Sequence, residues 1–257
     1  MHRGDESPAQ SAGRWTLGRK IGHGVSATVF ECTCGSTIAA AKMYEDPGHA
    51  PREVVVQKLC AAFAPEVYDY ADKYIVMQRF GFSLTELLAY TFRVKSHETA
   101  MVVARDCIAQ ATAWIARLFA WPGGRNCYFV HGDLHPGNVL VAQYARPDEV
   151  IGPGGALRRM EFRLCDFGFS AIFASNVAAI DARPPVSVRN LAAPWEHYDR
   201  YLFLCSTVGA IAHWTKRPAA GLMHDLVDGA EARHALQYIR RVARDHEWQY
   251  HELFVEA

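Results

Sequence analysis

The stretch Val130-His131-Gly132-Asp133-Leu134-His135-Pro136-Gly137-Asn138-Val139-Leu140-Val141, followed downstream by Leu164-Cys165-Asp166-Phe167-Gly168, decides how the rest of the chain is read. An aspartate is followed after four residues by an asparagine and then by an apolar strand, Val139 to Gln143. A second strand, Glu161 to Cys165, then delivers Asp-Phe-Gly. That spacing can set one base and two metal ligands around a nucleotide. Carboxylate and amide oxygens are the hard ligands that Mg²⁺ prefers, and the cation offsets charge on phosphates.

Working upstream, Trp15 to Ile21, Thr28 to Cys34 and Thr37 to Lys42 read as three strands, with Gly22, Gly24 and Gly35 supplying turns. Pro51 to Ala62 follows with Val54, Val55, Leu59 and Ala62 at helical spacing, then strands at Val67 to Tyr70 and Tyr74 to Gln78. In Ile21-Gly22-His23-Gly24-Val25-Ser26-Ala27-Thr28-Val29, small residues let backbone amides approach a polyphosphate. The same pattern also serves an ordinary hairpin turn. On the third strand, Ala39-Ala40-Ala41-Lys42 aims a lysine from a row of small residues, and Glu53 stands near the start of the following helix. An inward lysine needs a carboxylate partner. Taken alone, the two read more simply as a surface lysine and a first-turn glutamate.

Working downstream from Gly81, Ser83-Leu84-Thr85-Glu86 is a capping box, and His97 to Phe119 carries an amphipathic stripe at 101, 104, 108, 111, 115 and 118. The two strands flanking the excursion ARPDEVIGPGGALRR interrupt an otherwise helical half. Further helices are expected at His197 to Trp214 and at Ala230 to Asp245, the latter with Ala232, Leu236, Ile239 and Ala243 on one side. The fold class expected is α+β: residues 1–14 a disordered lead, 15–80 a β-rich lobe with one helix, 81–257 a mainly helical lobe.

Composition narrows the function classes. Lys plus Arg and Asp plus Glu are both 27, so no net field recommends nucleic acid or an anionic membrane as a partner. The seven cysteines, at 32, 34, 60, 107, 127, 165 and 205, form no C-x-x-C pair and sit mostly in apolar runs. That suits buried free thiols in a reducing compartment. Cys32 and Cys34 alone make a poor zinc site. No run approaches the roughly 18 to 20 apolar residues of a membrane span, and the polar start is unlike a signal peptide. A cytoplasmic or nuclear location is expected.

Taken together in this order, the motifs resemble the protein-kinase-like superfamily from about Leu17 to about Trp214. The resemblance implies a two-lobed fold binding ATP with Mg²⁺, or Mn²⁺ as an alternative. Gly22 and Gly24 match the glycine-rich loop, Lys42 the phosphate-anchoring lysine and Glu53 its helix partner. Asp133 matches the catalytic aspartate, and Asn138 and Asp166 the metal ligands. Val29, Ala40 and Leu140 would line the adenine slot, with Met77 as gatekeeper and backbone groups of Gln78 and Phe80 at the adenine edge. Asp199 resembles the aspartate, early in a helix, that supports the catalytic loop.

The departures bear on the acceptor. Ala27 replaces the third loop glycine, and Gly132 stands where many regulated kinases have arginine. His135 occupies the place of a catalytic-loop lysine and is read in two ways, as a stand-in for that lysine near the γ-phosphate or as a histidine that hydrogen-bonds to hold the loop. His-Gly-Asp-Leu-His-Pro-Gly-Asn is also similar to the loop of aminoglycoside and other small-molecule phosphotransferases. Ala193-Pro194-Trp195-Glu196 only approximates Ala-Pro-Glu, the connection from Asn138 to Asp166 is long, and the chain ends soon after the Asp199 helix, which implies a reduced substrate-docking region. The runs Gln57-Lys58-Leu59 to Tyr70 and Tyr198 to Leu204 resemble compact kinases of large DNA viruses. A hydroxyl of protein Ser or Thr is the expected acceptor, with a small molecule as the alternative and a nucleotide-binding pseudokinase as the third reading. Ser170, Ser175 and Ser187 offer hydroxyls after Asp-Phe-Gly, but with Gly132 in place of arginine the activity is expected not to depend on their phosphorylation.

Overall fold

The computed structural model describes residues 11–24, 26–118, 127–152, 155–174, 177–180 and 195–242. The chain is mixed α+β and divides into two compact units, Met1–Arg79 and Phe80–Ala257.

The first unit is a six-stranded antiparallel sheet in the order β1-β2-β3-β4-β6-β5. Its strands are β1 (Ser11–Ala12), β2 (Trp15–His23), β3 (Ala27–Cys34), β4 (Thr37–Tyr44), β5 (Val67–Ala71) and β6 (Tyr74–Gln78), with helix α1 (His49–Leu59) between β4 and β5. The two-residue period of β4 sorts its side chains onto both faces. Ala39 and Ala41 join Trp15, Cys32 and Val76 in one apolar cluster. Ala40 and Tyr44 join Ala27, Ala50, Val54, Ile75 and Met77 in the other. Lys42 lies between Ala40 and Tyr44 in this alternation and is buried with them.

Two boundaries differ from expectation. The lead does not run to residue 14, because Ser11–Ala12 pairs with Trp15–Thr16 across a turn in which Gly13 has φ +61°. Trp15 anchors that hairpin by stacking on Tyr68 at 6.0 Å between ring centroids. Strand β4 continues past Lys42 to Tyr44, and α1 begins at His49, before Pro51. Proline is tolerated in a first helical turn because the N–H it lacks has no intrahelical partner there.

In the second unit, β7 (Phe82–Ser83) leads into α2 (Leu84–Val94), and α3 (His97–Leu118) follows. Then come β8 (Cys127–Val130), β9 (Val139–Val141), β10 (Phe162–Leu164), β11 (Ala171–Ala174) and β12 (Val177–Ile180). Helices α4 (Trp195–Thr215), α5 (Ala219–Leu226) and α6 (Gly229–Val242) complete it. The expected capping box closes α2: Ser83 Oγ accepts from Glu86 N, and Glu86 Oε2 accepts from Ser83 N at 2.6 Å. Helix α4 is buried over Leu202–Val208 because α2, α3, α5, α6 and β8 all pack on it. The strands form two three-stranded sheets, β10-β9-β7 and β12-β11-β8. The excursion between β9 and β10 is tied to α3, where Gln110 Oε1 accepts from Met160 N at 2.9 Å.

Candidate functional site

In the first unit, the expected Lys42–Glu53 pair is present and buried. Lys42 Nζ donates to Glu53 Oε1 at 3.0 Å and to Oε2 at 2.9 Å. The simpler surface reading fails because the alternation along β4 carries Lys42 to the same face as Ala40 and Tyr44, while α1 turns Glu53 inward; the two residues are only 6% and 2% exposed. Removing both charges from water is costly unless further hydrogen bonds complete them. Tyr44, which sequence reading did not single out, supplies one: its hydroxyl donates to Glu53 Oε2. Its ring also lies under the ammonium, 5.1 Å from Lys42 Nζ to the ring centre. The available signal was its position two residues beyond Lys42, hence on the same face.

Val29, Ala40 and Met77 are brought together in one apolar cluster, with Ala40 opposite Met77 in the strand register. Gln78 N–H donates to the Glu66 carbonyl at 2.8 Å, so of its two backbone groups the N–H is already engaged. At Gly22 and Gly24 a Cβ would meet its nearest atoms at 3.4 and 3.8 Å, ordinary contact distances, and neither glycine has positive φ. Folding therefore does not demand glycine at either place. Val25, in the same turn, lies outside the described residues.

In the second unit, the loop between β8 and β9 is held mainly through main-chain groups. Asp199, in the first turns of α4, accepts from His131 N at 2.6 Å and Gly132 N at 2.9 Å, one with each carboxylate oxygen. Burial pushes its carboxyl up to about 7, the two backbone hydrogen bonds acting against that and the nearby Asp133 charge adding to it. His131 Nε2 meets the Cys165 carbonyl at 2.9 Å, and its ring packs on Phe167 at 5.5 Å. Asn138 Nδ2 donates to the Asp133 carbonyl at 2.9 Å, which leaves Oδ1 as that amide's acceptor atom. Antiparallel pairing of β9 with β10 sets Val139 opposite Leu164, and Cys165 N donates to Asn138 O at 3.0 Å. Asn138 and Asp166 therefore sit at the same end of one strand pair. Asp166 adopts φ +63°, a left-handed conformation that non-glycine residues seldom hold without support from their surroundings.

Asp133 and His135 are the accessible members, with side chains 44% and 40% exposed. His135 Nδ1 accepts from Gly137 N at 3.1 Å and caps the short 3₁₀ turn Pro136–Asn138. Accepting at Nδ1 leaves the ring proton on Nε2, the atom 3.9 Å from Asp133 Oδ2. His135 therefore caps the loop through Nδ1 and turns Nε2 toward the aspartate. Phe80 and Leu140 are half-buried in this unit.

Gly132 has a structural reason of its own. Its φ is +81°, and a Cβ there would come within 2.5 Å of the Phe169 carbonyl oxygen. Arginine could not occupy this backbone. Ser170 is fully buried and donates to the His131 carbonyl at 3.0 Å, so its hydroxyl fastens two segments together and is not presented for modification. Ser175, Arg183, Ser187, Arg189, Ala193 and Pro194 lie outside the described residues.

Among the described residues no group of three or more His, Cys, Asp or Glu could hold a metal ion. One carboxylate and one amide oxygen still suit Mg²⁺, which commonly takes one or two protein oxygens and completes its shell with phosphates and water. Cys32, Cys34, Cys60, Cys107, Cys165 and Cys205 are free, and burial pushes the Cys60 thiol up to about 12 and, with Glu31 adding, Cys32 up to about 11. No described helix is long and apolar enough to cross a membrane. Comparison with models of known protein families gives no match, and comparison with curated proteins gives none.

Proposed function

We propose that the protein is an ATP-dependent phosphotransferase of the two-lobed protein-kinase-like type. The first unit would supply the glycine-containing turn and Lys42, and the second Asp133, Asn138 and Asp166. The observation that carries this reading is the β9–β10 pairing, which brings Asn138 and Asp166 to one strand end while Asn138 braces the loop bearing an exposed Asp133. In this reading Asp133 accepts the proton of the attacking hydroxyl. Lys42, oriented by Glu53, offsets phosphate charge, and Asn138 Oδ1 with Asp166 would hold Mg²⁺ or Mn²⁺, which supplies charge neutralisation on the phosphates. Gly22 and Gly24 admit the phosphates close to the backbone. Val29, Ala40 and Met77, clustered in the first unit, would take the adenine, with Gln78 contributing its carbonyl.

A hydroxyl of protein Ser or Thr is the acceptor we favour, because the intact Asp166-Phe167-Gly168 and the stretch from Asp166 to Glu196 resemble a peptide-presenting activation segment. His135 supports the second reading, a small hydroxylated molecule, because the His-capped loop resembles that of small-molecule phosphotransferases. A nucleotide-binding module without turnover is disfavoured by the joint presence of Lys42, Asp133, Asn138 and Asp166. Incubation with γ-labelled ATP, Mg²⁺, a generic protein acceptor and a panel of hydroxylated metabolites is expected to label the protein acceptor. Label on a metabolite alone selects the second reading. No transfer under any condition, with nucleotide still bound, selects the third.

A further inference from the structure

We propose that Tyr44 is a positioning residue that sets Glu53 on Lys42 and fixes α1 against β4. The proposal deepens the phosphotransferase reading, which makes Lys42 the phosphate anchor, but its geometry lies wholly within the first unit. Tyr44 is 6% exposed and touches both charges of the buried pair. Its hydroxyl donates to Glu53 Oε2, the oxygen that also receives Lys42 Nζ at 2.9 Å. Its ring underlies the ammonium at 5.1 Å. The same ring is nearly parallel to the imidazole of His49, with an 8° interplanar angle and 6.1 Å between centroids. His49 and Glu53 are four residues apart on α1 and so share a face one turn apart.

One side chain from β4 therefore grips two successive turns of the helix, stacking on the first and hydrogen-bonding to the second. A carboxylate fixed only by a flexible lysine could rotate about its own χ angles. With the phenol as a second donor from a rigid strand, both oxygens stay turned toward the ammonium. The consequence is a lysine held in one place before any ligand arrives, which is the preorganisation that a phosphate anchor requires.

The test is Tyr44→Phe, which keeps the ring, its stacking on His49 and its place under Lys42, and removes only the hydroxyl. The direct readout is the rate at which an amine-acylating reagent modifies Lys42, followed by peptide mass spectrometry on the full chain without nucleotide. Lys42 engaged by a fixed carboxylate reacts slowly. Loss of a hydrogen bond to a charged group is expected to raise that rate by about tenfold. Incorporation of 3-fluorotyrosine at position 44, a stronger donor on nearly the same ring, is expected to lower it and serves if Tyr44→Phe fails to fold. In the nucleotide assay, Tyr44→Phe is expected to raise KM for ATP by about tenfold while kcat stays within about twofold. A Lys42 rate unchanged by both substitutions overturns the proposal, as does a melting temperature that falls while the Lys42 rate and KM do not move, since that is the signature of packing alone. If wild-type protein uses no ATP and Lys42 still responds as expected, the phosphotransferase reading falls and the positioning role of Tyr44 stands.

Discussion

The two units hold their buried carboxylates, Glu53 and Asp199, in different ways. In the first, Lys42, Glu53 and Tyr44 meet through side-chain atoms, and all three are buried. In the second, Asp199 gives both carboxylate oxygens to main-chain donors, His131 N and Gly132 N, and Asn138 gives its Nδ2 to the Asp133 carbonyl. Side-chain partners can be exchanged as a set, because substituting every member leaves no orphan. Main-chain partners cannot be substituted, so each residue that satisfies them is irreplaceable by an apolar one. The first arrangement should therefore be separable from stability and the second should not.

The largest expected effect comes from halving the charged pair. Glu53→Ala leaves Lys42 buried without its carboxylate and is expected to lower stability by about 3–5 kcal/mol, read by urea denaturation. The combined change Lys42→Met, Glu53→Leu, Tyr44→Phe removes all three polar groups together and is expected to unfold within about 1 kcal/mol of wild type. If the triple variant is as unstable as Glu53→Ala, the set is not exchangeable and the contrast between the units fails.

In the second unit, Asp199→Ala strands two buried N–H donors and is expected to lower stability by about 3 kcal/mol. No apolar companion change should rescue it. The pH dependence has a definite sign. Unfolded, the carboxyl titrates at about 3.9, whereas burial in the folded state pushes it up to about 7. The folded form holds an extra proton between those values, so this stability is complete below about pH 4 and is lost as pH rises to about 7. Urea unfolding of wild type should weaken through that interval more steeply than unfolding of Asp199→Asn. Equal slopes would mean that the two backbone donors keep the carboxylate ionised throughout.

A smaller effect is expected at Gly132. Alanine there meets the Phe169 carbonyl and must adopt φ +81°, at a cost of about 2 kcal/mol. The melting temperature reads it, and a wild-type value would show that the segment after Asp166 moves away without penalty.

These expectations also mark what the sequence could disclose. The spacing of Asn138 and Asp166 was legible because each borders a strand read from its own residues, Val139 to Gln143 and Glu161 to Cys165, and the helices α2 and α3 announced themselves by capping and periodicity. Strands β8, β11 and β12 were not read, since four-residue segments such as Ala171–Ala174 have too few alternations to declare a period and are made by pairing with each other. Helix α5 was missed for the same reason of length. Gly132 was read as a missing arginine, whereas its backbone angle and its contact with Phe169 are tertiary facts. Ser170 was read as an available hydroxyl because nothing local shows that it is buried. Lys42 and Glu53 were weighed as surface residues until the face of β4 that carries them could be seen to be closed.

The most direct test of the account compares wild type with Asp133→Asn in two assays on the same samples: transfer from γ-labelled ATP, and the rise in melting temperature on adding ATP with Mg²⁺. A ligand that binds only the folded state must raise that temperature, and a base that acts on the acceptor hydroxyl contributes little to nucleotide binding. The account predicts transfer and a rise for wild type, and for Asp133→Asn an undiminished rise with transfer abolished. Transfer at the wild-type rate by Asp133→Asn, or no rise for wild type at millimolar nucleotide, would contradict it.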